Sequence, residues 1–160
     1  MRKFQSFSAS VESSLLQPPK TPNESDMYAE PENFLEIEVA NPKTHFPHAE
    51  NRGMYTDYEV ICRTNLPSFT KRTSKVRRRY SEFELFRKCL LKELSLSSHP
   101  KVVVPHLPGK IILGNRFSDE AIEERKQDLN KWMFTVAGHP LLQSGSKVLV
   151  RFIENKEFLG

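Results

Sequence analysis

Apolar residues recur at every second position in two early stretches of the chain. In NFLEIEV, Asn33 to Val39, the residues Leu35, Ile37 and Val39 alternate with Glu36 and Glu38, the period of a strand with one buried face. TDYEVICRT, Thr56 to Thr64, alternates in the same way, and Thr70 to Arg79 returns as a basic strand after a turn around Pro67. Pro42, Pro47 and Gly53 mark a loop between the first two. Strands that follow one another with no helix between them predict an antiparallel meander. From Ser81 the period lengthens. Phe83, Phe86, Leu90 and Leu94 fall at helical intervals, and Ser81 with Glu84 three residues on has the spacing of a capping box, so a helix is predicted to about Leu94 with Ser81 as its N-cap.

KVVVPHLPGKIILGN, Lys101 to Asn115, breaks that period with two prolines and two glycines and reads as an extended loop with an apolar tip, Ile111, Ile112 and Leu113. Ser118 or Asp119 caps a second helix whose inward positions are Ile122, Leu129, Trp132, Met133 and Val136, with Gly138 before His139-Pro140 as its stop. Ser146 to about Phe158 is a last helix with Val148, Leu149, Phe152 and Ile153 inward. Strands first and helices afterwards, without βαβ alternation or internal repeat, give an α+β fold: a three-stranded antiparallel sheet packed against a helical subdomain. Residues 1–32, rich in Ser, Pro and Glu and without a sustained period, read as a flexible tail, and 33–160 as one domain.

Composition narrows the function. No stretch approaches the roughly 20 apolar residues of a membrane-spanning helix, and the first residues lack the apolar core of a secretory signal, so a cytoplasmic protein is expected. Cys62 and Cys89 are far apart and belong to no CxxC, which argues for buried thiols and against a zinc site or disulfide. No HExxH, GxSxG or phosphate-binding glycine loop is present, and the five histidines are scattered. Neither an enzyme nor a bound metal or cofactor is expected. The net charge of +4 is modest, but between Arg63 and Lys92 ten basic residues face only Glu82 and Glu84. A positive surface and an anionic partner follow.

The densest part of that segment is VRRRYSEFELF, Val76 to Phe86. Side chains alternate along a strand, so Arg77 and Arg79 point one way and Arg78 the other. A strand end, the Tyr80 ring and the first N–H groups of a helix together make a place where a phosphate meets a guanidinium fork while the ring covers a flat ligand. A solvated basic edge strand explains the same residues equally well. Nucleic acid is a further alternative, with Tyr80 and Phe69 stacking bases. Ser81 carries a second possibility beyond capping: phosphorylation there would add about −1.5 to −2 charge beside the phosphate site. Pro105 and Pro108 form a PxxP pattern, read as stiffening the loop before docking on another domain.

RRYSEF at Arg78, PGK at Pro108, ERKQDLNKW at Glu124 and AGHPLL at Ala137, in that order, resemble the successive signatures of the phox-homology, or PX, domain family. The likeness runs from about Asn33 to the C-terminus and is strongest to the small sorting nexins that act with retromer. It implies the PX fold and a module for phosphatidylinositol 3-phosphate on endosomal membranes. By motif, Arg79 would hold the 3-phosphate, Tyr80 would stack under the inositol ring, Ser81 would sit beside it, Lys110 would reach the phosphate joined to glycerol, and Arg125 would bond the ring hydroxyls. Ile111, Ile112 and Leu113 would then enter the bilayer interface. Arg77 and Arg78 are left to general attraction toward an acidic membrane. The resemblance further implies peripheral attachment to endosomal and Golgi membranes, with retromer subunits and transmembrane cargo tails as partners and no nucleic acid.

Overall fold

The computed structural model describes residues 32–46, 53–97, 102–109 and 116–160. Strands β1 (Leu35–His45), β2 (Tyr55–Thr64) and β3 (Thr73–Arg79) form one antiparallel sheet in the order β1-β2-β3. The register sets Ile37 opposite Cys62, Val39 opposite Val60, and Val60 opposite Val76, so one face of the sheet carries the apolar set. That face is the floor of the core.

β1 is longer than the alternation of Leu35, Ile37 and Val39 predicts. It continues through Pro42 to His45 by means of a bulge between Ala40 and Lys43, with Asn41 at φ +48°. A bulge is where a sheet tolerates proline, because the inserted residue owes no N–H to the ladder. The extension matters downstream, since it sets His45 opposite Tyr55. On its outer edge β1 is covered: the Val39 N–H donates to Asn130 Oδ1 at 2.7 Å. β3 begins at Thr73 and not at Thr70, because the Thr70 hydroxyl and the Lys71 N–H are turned to Glu154, at 2.9 and 2.6 Å.

Among the described residues four helices follow: α1 (Tyr80–Ser95), α2 (Asp119–Ala137), α3 (Pro140–Gly145) and α4 (Lys147–Glu154). Phe83, Phe86 and Leu90 of α1 are buried as the helical spacing predicts, and so are Leu129, Trp132, Met133 and Val136 of α2. Phe86 and Phe152 stack at 4.1 Å, with Phe83 edge-on to Phe152 at 5.1 Å and Phe158 edge-on to it at 5.2 Å. Ser118 caps α2 by accepting from the Ala121 N–H at 3.2 Å. Gly138 ends that helix in a right-handed conformation; a Cβ there would stand 2.8 Å from the Phe134 carbonyl oxygen, so close approach is what requires glycine.

Two helical expectations need correction. AGHPLL carries a helix of its own, α3, started by Pro140 at its first turn with His139 Nδ1 accepting from the Leu141 N–H at 3.2 Å. The last helix stops at Glu154 and not at Phe158. Its final carbonyls are taken by a buried arginine from β3, and the chain leaves in an extended conformation at Asn155 before Phe158 returns to the core.

Candidate functional site

β3 runs into α1 without a connecting loop, so three consecutive arginines meet three environments. Arg78 points into the protein and is fully buried. Its guanidinium donates to the Phe152 carbonyl at 3.0 and 2.8 Å, to Lys156 O at 3.0 Å and to Asn155 O, and lies 5.2 Å from the centre of the Phe152 ring. Burial pulls its pKa below the ordinary arginine value, with Glu82 acting in the opposite sense. Arg78 is therefore not available for attraction toward an acidic membrane, contrary to the expectation from the sequence: it closes the C-terminal end of α4. Arg77 is engaged too, with Nε 2.7 Å from Asp57 Oδ1 and Nη2 donating to Asn41 O at 2.5 Å.

Arg79 is exposed, and its guanidinium lies over the Tyr55 ring at 4.2 Å from the centroid. Tyr55 is on the central strand, with His45 of β1 stacked against its ring at 4.6 Å and 20° on the side away from β3. Asp57 braces this set, one carboxylate oxygen 2.8 Å from His45 Nε2 and the other held by Arg77. Arg79 also occupies the N-cap position of α1, and its backbone N–H donates to Glu82 Oε1 at 2.8 Å. Ser81 is consequently the second residue of the helix and not its cap. Glu82, three residues after Arg79, supplies the reaching-back carboxylate that the sequence pattern assigned to Glu84.

Tyr80 opens α1. Its hydroxyl donates to Pro108 O, and the Arg125 guanidinium from α2 covers its ring at 3.8 Å from the centroid. Arg125 donates in turn to Gly109 O at 2.7 Å. Burial pushes the Tyr80 phenol above the ordinary tyrosine range, with Arg125 pulling it back and Glu84 adding to the rise. The segment 102–109 is itself fixed: Arg87 Nε and Trp132 Nε1 both donate to Pro105 O at 2.9 Å, and Arg87 reaches Val104 O at 3.2 Å. A PxxP segment held this way stiffens the rim. Lys110, Ile111, Ile112 and Leu113 lie outside the described residues, directly after Gly109.

These elements enclose an open cleft of about 300 Å³, lined by Arg79, Tyr80, Ser81, Glu84 and Arg125 together with Met54, Tyr55, Thr56, Tyr58, Arg116 and Phe117. The Arg116 guanidinium rests over the Phe117 ring at 4.9 Å. Tyr58 backs the cleft, and burial raises its phenol to about 12 against the lowering effect of Arg125. Three guanidiniums, three phenols, two aliphatic hydroxyls and one carboxylate thus line one small volume beside the start of α1. That set can bind an anionic group and cover a ring.

Arg79, Tyr80, Ser81 and Arg125 are brought together here. Sequence reading missed Tyr55, Arg116 and Phe117. For Tyr55 the clue lies in the meander, because the first residue of the second strand must approach the last residues of the third. For Arg116 and Phe117 the clue is weaker, an Arg-Phe pair just ahead of the Ser118 cap.

A three-stranded antiparallel sheet, a helical layer and a basic cleft where the third strand becomes the first helix define a class. The family model for the PX domain matches residues 66–156. An X-ray structure of a designed CISK-PX domain superposes with a TM-score of 0.56 at 23% identity, covering 74% of this chain and 97% of that one, a likeness of fold. Over the full length, a protein named Sorting nexin-3 from Candida glabrata is 69% identical, covering 99% of this chain and 98% of its own. The Sorting nexin-3 of Saccharomyces cerevisiae is 68% identical, covering 99% of both. The chain belongs to the PX domain family and, within it, to the sorting nexins. Among the described residues no helix is long and apolar enough to cross a membrane.

Proposed function

We propose that the cleft binds the headgroup of phosphatidylinositol 3-phosphate and so places the protein on endosomal membranes. The observation that supports this most directly is convergence: Arg79 and Tyr80 at the junction of β3 and α1, and Arg125 some 45 residues further on in α2, line one cleft of about 300 Å³. In this reading the Arg79 fork grips the 3-phosphate, aided by the amides of the first turn of α1. The headgroup ring displaces Arg125 from the face of Tyr80, and Arg125 turns its donors to the ring hydroxyls. Arg116 adds a third cation at the rim. Lys110 reaches the phosphate joined to glycerol, and Ile111, Ile112 and Leu113 enter the interface, each buried apolar side chain contributing up to about 1.5 to 3 kcal/mol.

Attached in this way, the protein works from the cytoplasm as a peripheral component of endosomal and Golgi membranes. It acts with retromer to return transmembrane cargo from endosomes to the Golgi. This step is supported by the resemblance to retromer-associated sorting nexins and by relatives named as sorting nexins. The nucleic-acid reading loses its support, because the basic segment is not a continuous cationic strip. Arg78 is internal, while Arg63, Lys71, Arg77 and Arg87 are each engaged within the protein.

Vesicle sedimentation across a phosphoinositide series, with Arg79→Ala as control, tests the lipid reading. The protein should pellet with vesicles containing the 3-phosphate, and Arg79→Ala should not. Equal binding to all acidic vesicles, or an unaffected Arg79→Ala, would sink it; binding to single-stranded DNA with a steep salt dependence would revive the alternative. For the trafficking role, retromer should be captured by the full chain and lost when residues 1–32 are deleted, whereas unchanged capture would remove the tail from the proposal.

A further inference from the structure

We infer that His45 is a positioning residue for the phosphate grip: it holds the Asp57 carboxylate away from Arg79 and so keeps that guanidinium open to a ligand. This role presupposes the headgroup reading above. Register makes Asp57 and Arg79 direct partners across the β2–β3 ladder. Opposite charges so placed ordinarily pair, because facing side chains stand on the same face of the sheet about 5 Å apart. Here they do not. Asp57 is 8% exposed, with Oδ2 2.8 Å from His45 Nε2 and Oδ1 2.7 Å from Arg77 Nε. Arg79 lies instead over the ring of Tyr55, two residues before Asp57 and on the same face. Among the described residues no carboxylate pairs with its guanidinium.

An ionised carboxylate only accepts hydrogen bonds, so the imidazole nitrogen that meets Asp57 carries a hydrogen and donates. The same imidazole stacks on Tyr55 at 4.6 Å, and β1 brings it there only by way of the bulge after Ala40. Arg77 is already spread over Asp57 Oδ1 and the carbonyls of Asn41 and Asp57, at 2.5 and 3.2 Å, which leaves Oδ2 to His45. Without the imidazole N–H, Oδ2 would be a buried acceptor with no donor, a costly state that draws in the next cation. The cations facing Asp57 are Lys43 on β1 and Arg79 on β3, and the planar fork of Arg79 is the better match for a carboxylate. An Arg79 closed on Asp57 has spent the donors that a phosphate needs.

The test uses the full chain as wild type, His45→Phe, His45→Ala and His45→Gln, each also with Asp57→Asn, on phosphatidylcholine vesicles containing phosphatidylinositol 3-phosphate. His45→Phe keeps a ring on Tyr55 but has no donor and should weaken binding about tenfold, while His45→Gln keeps a donor and should stay within about threefold of wild type. His45→Ala, lacking both ring and donor, should weaken binding at least as much as His45→Phe. With Asp57→Asn in place there is no carboxylate to capture Arg79, and His45→Phe should then cost less than about threefold. Without any lipid, the Arg79 Nε–H signal in NMR spectra should shift in His45→Phe and return when Asp57→Asn is added, with thermal melts checking that each variant is folded. Three results overturn the role of His45 and leave the headgroup reading intact: wild-type binding by His45→Phe and His45→Ala, a loss of the same size with and without Asp57→Asn, or an Arg79 signal unmoved by His45→Phe. If wild type itself ignores the 3-phosphate, the headgroup reading falls, and the Arg79 signal still decides whether His45 governs that guanidinium.

Discussion

Arg78 and Arg79 are consecutive residues that anchor two unlike regions. Around Arg78 the guanidinium is sealed from water and surrounded by carbonyl oxygens at the end of α4, with the Phe152 and Phe158 rings at 5.2 and 5.8 Å. Around Arg79 it lies open on the Tyr55 ring, facing a cleft. The difference is one step of strand alternation. What it teaches is that charge of one kind can serve stability or binding according to whether its donors are already satisfied by the protein. Arg78 has its acceptors built in, and the negative end of the helix dipole lies beside it. Arg79 faces space that another molecule can fill.

Breaking each region separately should give opposite phenotypes, beginning with the larger. Arg78→Ala removes a buried cation and strands the carbonyls of Phe152, Asn155 and Lys156, so urea denaturation should show a loss of about 3 to 5 kcal/mol. A loss below about 1 kcal/mol would mean water replaces the guanidinium at little cost. Arg79→Ala should leave stability within about 0.5 kcal/mol while weakening binding to 3-phosphate vesicles by about 2 kcal/mol, roughly thirtyfold. If it destabilised the fold instead, the contrast between the two arginines would collapse.

Smaller perturbations sharpen the boundary between the regions. Ser118→Ala, which removes a true cap, should lower stability by about 1 kcal/mol, whereas Ser81→Ala, inside the first turn of α1, should cost less than about 0.5 kcal/mol. Equal losses in thermal melts would reinstate Ser81 as a cap. Tyr55→Leu removes the ring beneath Arg79 and should weaken headgroup binding by about 0.5 to 1 kcal/mol, with Tyr55→Phe close to wild type because the ring face is retained. An equal loss in Tyr55→Phe would transfer the effect from the ring to the hydroxyl.

Much of the architecture was legible in advance because burial imposes a period. Leu35, Ile37 and Val39 gave the first strand, Phe83, Phe86 and Leu90 the first helix, and Leu129 through Val136 the second. Boundaries set by long-range contacts were not legible. α4 ends where Arg78 takes its carbonyls, 74 residues away in sequence from Phe152, and β3 begins where Glu154 releases Lys71. β1 outlasted Pro42 because a bulge absorbed it. The capping error at α1 has the same origin as the others: Ser81 and Glu84 satisfy a spacing rule, but the strand delivers Arg79 into the cap position first.

By itself the sequence determined the order of the three strands and the main helices and the face each buries, because periodicity is a local property of a chain, while Arg79, Tyr80 and Arg125 were singled out together by the resemblance to PX signatures. Only the tertiary structure decided which cations remain available to a ligand. A guanidinium becomes a cap or a grip according to the acceptors that distant segments place around it, and those positions are fixed by packing. Arg78 was lost to the core in this way, and Tyr55, Glu84 and Arg116 were gathered to the cleft with Arg79.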